Sequence, residues 1–333
     1  MDITRAEEIL KHINGKRVLV FGDTMLDRYI TGRVERLNPE APVPILEAID
    51  ERRATGGAGN TAKNVAMLGG RAIMVAVGGG DAVARELEQA ASEEGYEVRL
   101  VADPTRPTTE KIRYVVRTQQ MLRVDYEEKH DVGGQAEDEV VRMIKDAAGQ
   151  VDGILVSDYA KGAVTPKTAE AIMQAANEHN LPVMADVKPG RINFFTGADF
   201  ISPNIKEGHE FLGLNRFENP KPHQELAASL REAFDANVFL TMSENGIYVL
   251  NKAGESFHAN QKLTHDDEVL DTSGCGDSAA AAILLGKLAG ASDEEAAELG
   301  HLAGNVNAKK IGAAGVTPEE VLDLLKHYAG HQA

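Results

Sequence analysis

Several features that define whole classes of protein are missing from this sequence. It has one cysteine, Cys275, in 333 residues, so no internal disulfide can form and a cross-linked secreted scaffold is excluded. No uncharged stretch approaches the roughly 20 residues needed to cross a bilayer. The opening MDITRAEEIL carries acids where a secretory leader needs a basic and then an apolar run. Positive charge is in short supply: 35 basic side chains face 52 acidic ones, a formal charge of −17. A surface of that sign repels polyanions, which disfavours nucleic acid and anionic membranes as partners but still allows a local basic pocket for a small anion. The expectation is a cytoplasmic chain. Also missing are the Walker pattern G-x-x-x-x-G-K-[ST], the protein-kinase signatures, and a G-x-G-x-x-G after the first apolar run. No internal repeat or low-complexity linker divides the chain.

What is present is an alternation of short β-branched runs with helical patterns, the signature of a parallel sheet covered by helices on both faces. The 43% hydrophobic content suffices for a large core. Strands are predicted at 17–21, 73–77, 97–101, 153–157, 182–186 and 200–202, with a hairpin over 238–250 turning tightly at Asn245-Gly246. Helices are predicted at 60–68, 82–94, 137–148, 166–179, 223–234, 278–288, 293–310 and 318–328. Thr165-Pro166 and Thr317-Pro318 read as N-caps followed by proline at the first helical position. Two segments, about 28–50 and 106–128, break the alternation. They are read either as a small antiparallel flap that covers a ligand or meets a second subunit, or as two surface excursions.

The most informative stretch is Asp271 to Asp277, DTSGCGD, followed by the small-residue run SAAAAILLGKLAG. Gly274 and Gly276 permit a tight turn, and the free amides of the following helix favour a phosphate, which makes 274–276 an anion cradle. Asp277 would sit beside that phosphate as a base for an attacking hydroxyl; by residue type alone it also reads as an N-cap. Cys275, with no base nearby in sequence, reads as a small neutral residue of the loop rather than a nucleophile. Asn204 and Glu207 have the spacing of a capping box as well as of a polar site. His258 and His265 show no metal-ligand spacing and read as structural or surface residues.

These segments resemble those of the ribokinase, or PfkB, family of carbohydrate kinases. DTSGCGD is similar to the family's D-x-x-G-A-G-D, with Cys275 in place of alanine. Gly56-Gly57 through Asn64 (GGAGNTAKN) is similar to its glycine-rich sugar-binding segment, and Asn204 to Glu207 (NIKE) to its N-x-x-E motif. Within the family, GDTMLDRYITGRVERLNPEAPVPIL (22–46), TQQMLRVDYEE (118–128), SDYAKGAV (157–164), Asp186 with Lys188 and TMSENG (241–246) are similar to the heptose 7-phosphate kinases. The resemblance implies one ribokinase-like kinase domain over 1–333, a three-layer α/β/α fold with a mostly parallel central sheet and a β-lid. It implies ATP-dependent phosphorylation of the anomeric hydroxyl of D-glycero-D-manno-heptose 7-phosphate, or of another sugar or sugar phosphate.

The site residues follow from the same likeness. Asp277 is the base, with Gly274, Cys275 and Gly276 at the anion cradle. Asn204 and Glu207 order Mg²⁺, while Lys188, Ser243, Gly246, Asp271 and His301 lie toward the nucleotide; His301 stands where the family often has asparagine. Asp23, Asp27, Gly56, Gly57 and Asn60 meet the sugar. Lys111, Arg113, Arg123 and Lys161 are candidates for its phosphate, or solvated surface charges. A monovalent cation such as K⁺ is implied near Asp271 and Ser273, and a homodimer through the lid. The fused nucleotidyltransferase domain of many relatives has no counterpart in these residues.

Overall fold

A computed structural model of the chain describes residues 1–117, 119–260 and 269–331; Thr118 and His265 lie outside the described residues. In chain order the first half comprises α1 (Ile3–Ile13), β1 (Arg17–Gly22), β2 (Thr24–Leu37), β3 (Pro44–Gly57), α2 (Ala58–Met67), β4 (Arg71–Gly78), α3 (Ala82–Glu93), β5 (Glu97–Ala102), β6 (Glu110–Val116), β7 (Gln119–Tyr126) and α4 (Gly134–Ala148). The second half comprises β8 (Gly153–Ser157), α5 (Pro166–His179), β9 (Val183–Asp186), β10 (Phe200–Ile201), α6 (Ile205–Phe211), α7 (His223–Phe234), β11 (Asn237–Thr241), β12 (Ile247–Leu250), β13 (Ser256–Ala259), α8 (Cys275–Leu288), α9 (Asp293–Ala308) and α10 (Pro318–His331).

Nine strands form the central sheet in the order β13-β12-β11-β10-β9-β8-β1-β4-β5. It is parallel from β11 through β5; β12 alone runs against it, and β13, antiparallel to β12, returns to the common direction. Residue parity within each strand sorts side chains between two helical layers. Val18 and Val20 of β1 join the core under α1, α2, α8, α9 and α10, whereas Leu19 and Phe21 join the core under α4, α5 and α7. Met74 and Val75 of β4 divide in the same way. The fold is therefore the three-layer α/β/α arrangement that the alternation implies. From β1 the chain first builds outward to β4 and β5, then returns to β8 and builds the other way. That reversal opens a crevice at the carboxyl ends of β1 and β8, where ligands of open parallel sheets bind.

The two irregular segments pair into a second sheet of order β3-β2-β6-β7. It is not the wholly antiparallel flap that was expected: β2 lies parallel to β6, because β6 enters from the edge of the main sheet beside the root of β2. Arg28 fastens this sheet to the body through Glu110 of β6, Glu86 of α3 and Glu51 of β3. The hairpin also differs from its expected two-residue turn. A 3-10 turn over Ser243–Asn245 precedes Gly246, which has φ 88°. Sequence reading passed over α1, although Asp2 caps it by accepting from the Arg5 amide at 2.8 Å and Ala6, Ile9, Leu10 and Ile13 face the core at helical spacing. Thr165 caps α5 as expected, with Pro166 in its first turn.

Candidate active site

Each strand of the crevice delivers a polar residue as it ends: Asp23 after β1, Asp158 after β8, Asp186 at the tip of β9, and Asn204 after β10. Opposite them stands the amino end of α8. This helix begins at Cys275, three residues earlier than its apolar pattern suggests, so Asp277 falls in its first turn. No side chain caps that turn, and its amides lack intrahelical acceptors, which leaves an anion-binding end at 274–276. Glycine is required at 274: φ is +81°, and a Cβ there would stand 2.6 Å from Asn60 Nδ2.

Asp277 is 4% exposed. Its Oδ2 accepts from Asn60 Nδ2 at 2.7 Å, and its Oδ1 accepts from the Tyr159 hydroxyl at 2.6 Å. Burial raises the Asp277 carboxyl above its ordinary range, while Asn60, Tyr159, Thr61 and the Lys188 charge oppose that rise. Asn60 is fully buried and its own oxygen receives Asn64 Nδ2 at 3.4 Å. The amide of Asn60 thus holds Asp277 in the crevice. Asp23 is engaged by backbone amides. Its Oδ2 accepts the amides of Tyr159 (2.8 Å) and Lys161 (2.9 Å), and its Oδ1 that of Ala163 (2.9 Å), so this carboxylate organises the loop after β8. Asp158, buried beside Asp23, accepts the amides of Ala160 and Lys188, and burial together with the Asp23 charge raises its carboxyl.

Gly56 and Gly57 close β3 against Asp27 and the Asp23 carbonyl, both within reach of any added Cβ. Asp27 pairs with Arg113 at 2.5 Å. The Arg113 and Arg52 guanidinium groups both lie over the Tyr29 ring, at 5.2 and 5.1 Å from its centre, and Gly312 sits against Tyr29 and Arg52. Arg52 was not among the sequence candidates; its place opposite Tyr29 in the β2–β3 register is visible only once the strands are paired. Lys111 and Lys161 converge on Glu127, at 3.3 and 2.5 Å, and Lys111 also meets Asp125 at 3.0 Å. Arg123 is half-exposed, bonded to Asp125 at 2.8 Å and opposite Arg113 in the β6–β7 register. A second residue missed in the sequence is Lys63. Its buried ammonium donates to the Ala313 carbonyl at 2.6 Å, tying α2 to the loop beneath the anion cradle. In the same place the Val316 amide donates to Asn64 Oδ1 at 3.2 Å.

On the nucleotide side, Asn204 and Glu207 form a reciprocal capping box on α6, with bonds of 2.9 and 3.2 Å, and Lys188 Nζ donates to Glu207 at 2.7 Å. Asp271 accepts the Ser273 amide at 2.9 Å and the Gly312 amide at 3.0 Å, which folds the 271–274 loop onto 312. Ser243 and Gly246 carry the exposed turn after β11. His301 is buried, and Asn305 links it to Tyr328 of α10. The Cys275 thiol is pushed up to about 11 by burial and by the Asp271 and Asp277 charges, so it is no nucleophile at neutral pH.

A family profile described as pfkB family carbohydrate kinase matches residues 16–320. The chain belongs to the PfkB family of carbohydrate kinases. One similar relative is the D-beta-D-heptose 7-phosphate kinase of Bordetella bronchiseptica, 38% identical over 306 residues, which are 92% of this chain and 95% of that protein. The bifunctional protein HldE of Caulobacter vibrioides is 38% identical over 309 residues, 92% of this chain but 63% of that protein. The chain therefore spans under two thirds of that bifunctional relative. Phosphofructokinase-2 from Escherichia coli in complex with potassium superimposes with a TM-score of 0.76 at 16% identity, covering 95% of this chain and 99% of that one; it shares the fold. As a PfkB kinase the chain uses ATP, and Mg²⁺ is the ion expected to accompany it. The donors present suit that ion, since Glu207 and Asn204 offer hard oxygens. Among the described residues no three acids, histidines or cysteines cluster to cage a metal. Phosphate and water oxygens would therefore supply most of its shell. No helix among the described residues is long and apolar enough to cross a membrane.

Proposed function

We propose that this chain transfers the γ-phosphoryl group of ATP to the anomeric hydroxyl of D-glycero-D-manno-heptose 7-phosphate, giving the 1,7-bisphosphate. The observation that carries this reading is the near end-to-end match with the Bordetella heptose 7-phosphate kinase, 95% of which is covered. In this reading Asp277 accepts the hydroxyl proton as the sugar oxygen bonds to phosphorus and the bond to the ADP oxygen breaks. The first-turn amides of α8 receive the charge on the transferring group. Glu207 and Asn204 would hold Mg²⁺, which would supply charge neutralisation for the phosphate groups. Lys188, paired with Glu207, adds a cation on the same side.

Arg113 and Arg52, stacked over Tyr29 next to Gly312, are cations on the lid suited to a substrate phosphate, and Lys161 and Lys111 are the alternative pair. The sheet β3-β2-β6-β7 acts as a lid over one kinase domain, excluding water that would compete as acceptor. Leu37, Ile49, Met121 and Leu122 are exposed on it, the last by 57%, which supports a homodimer formed through the lid. A monovalent cation is proposed beside Asp271 and Ser273.

ATP consumption measured with heptose 7-phosphate, fructose 6-phosphate, ribose and fructose tests the substrate. Turnover confined to an unphosphorylated sugar would assign the chain to another branch of the family. Asp277→Asn keeps the side-chain size but removes the basicity, and is expected to lower kcat by about three orders of magnitude with nucleotide binding retained. Sedimentation reads the dimer, and comparing activity in KCl with activity in a tetraalkylammonium salt reads the cation.

A further inference from the structure

We propose that Tyr159 is a positioning residue for Asp277: its hydroxyl aims the carboxylate and favours its ionised form, and the loop that carries it is fixed for that purpose by Asp23. The inference rests on the reading of Asp277 as the proton acceptor. Its starting point is that both oxygens of Asp277 are held, one by each of two separate elements. Asn60 reaches Oδ2 from α2, and Tyr159 reaches Oδ1 from the loop after β8. At 2.6 Å the second bond has the length of a hydroxyl donating to a charged oxygen.

That loop has little freedom. Asp23 receives its amides at 159, 161 and 163, and Asp158 receives the one at 160. Ala160 is held at φ 55°, a left-handed conformation that a residue with a Cβ adopts only when its surroundings require it. Arg106 adds a bond to the Lys161 carbonyl at 2.9 Å. Above the Tyr159 ring stands Lys188 Nζ, 5.6 Å from its centre. Such immobilisation is more than a surface loop needs, and it delivers one side-chain group, the phenol, to the buried carboxylate.

The chemical effect follows from the sign of the hydrogen bond. Tyr159 can only donate here, since burial and the Asp277 charge hold its own proton far more tightly than usual. A donor to the charged form stabilises that form against burial. The other groups facing Asp277 are Lys63 and Thr61 from α2, Asp186 and Lys188 from the end of β9 and beyond, and Cys275 from α8 itself. Lys63 and Lys188 act in the same direction as Tyr159, and Asp186 against it. Each carboxylate oxygen accepts two bonds, so the oxygen held by Tyr159 can still receive the sugar hydroxyl.

The test is the pH dependence of kcat for wild type and Tyr159→Phe, with ATP and whichever sugar phosphate the wild type turns over. Phenylalanine keeps the ring under Lys188 and removes only the donor. The expected result is an acid limb displaced upward by about one pH unit, with kcat along that limb about tenfold lower, the KM for ATP unmoved and the melting temperature retained. Replacing Tyr159 by 2,3-difluorotyrosine, a stronger donor of nearly the same shape, should displace the limb downward, and it serves if the phenylalanine variant does not fold. An acid limb in the same place for all three proteins overturns the proposal. If the wild type turns over no sugar phosphate, the functional reading fails instead. The Asp277 titration, followed by carbon NMR of the labelled carboxylate, then decides alone: it must rise in Tyr159→Phe, and an unchanged titration refutes the positioning role.

Discussion

Replacing Asp23 by asparagine distinguishes a carboxylate that binds sugar from one that builds a loop. In the structure Oδ2 takes two amides and Oδ1 takes one, all at 2.8 to 2.9 Å, and the residue is 3% exposed. Asparagine directs its oxygen at the Tyr159 and Lys161 amides and then turns its own N–H against that of Ala163. One buried amide loses its acceptor, at about 1–3 kcal/mol, and two bonds to a charged acceptor become weaker neutral ones. Relief of the repulsion with Asp158 returns part of this. The net expectation is a loss of about 2–3 kcal/mol. Urea unfolding of the unliganded protein measures it. Activity should fall in kcat more than in the KM for sugar, because the displaced loop carries Tyr159. Wild-type stability combined with a large rise in the sugar KM would refute this account and restore Asp23 as a direct sugar ligand.

Three further outcomes follow from the same contacts. Gly274→Ala forces a side chain into φ +81° and against Asn60, and the displaced base should lower kcat about a hundredfold in steady-state assays. Arg28→Ala removes the common partner of Glu51, Glu86 and Glu110; a loss of about 2 kcal/mol is expected, with faster amide exchange in β2 and β3. Burial would raise the Glu127 carboxyl, but Lys161, Lys129 and Lys111 outweigh it and bring it down to about 2. A carboxyl depressed in the folded state contributes stability above its unfolded value, near 4.5, and loses it as pH falls toward 2. Thermal melting of wild type should therefore drop over that window, and Glu127→Gln should lack about 2 kcal/mol of the dependence.

The strands of the central sheet were legible because burial on both faces demands unbroken β-branched runs such as RVLVF and GILVS, whose ends match β1 and β8 within a residue. The register between β2 and β6 was not, because a polar, half-exposed strand encodes its own extension but not its partner. DTSGCGD announced a turn and a helix end from local chemistry alone. By contrast, nothing in GGAGNTAKN or GD indicates whether an asparagine or aspartate faces a ligand or the next loop. The bonds of Asn60 to Asp277 and of Asp23 to the loop after β8 become visible only in the folded chain. Lys63 and Arg52 carry no local mark, as their importance lies in what the fold sets opposite them.

The bonds from Lys63 to Ala313 and from Val316 to Asn64 join positions some 250 residues apart in sequence. A polypeptide emerging from the ribosome therefore has its glycine-rich segment at 56–64 long before it has the strap that fixes it. Until the residues just before α10 are released, α2 must wait with a buried ammonium that has Glu94 as its ion-pair partner but lacks the Ala313 carbonyl, which disfavours premature closure of the crevice. Assembly of the site is thereby coupled to completion of synthesis, and a chain stalled before residue 313 should hold its parallel sheet without a competent anion cradle.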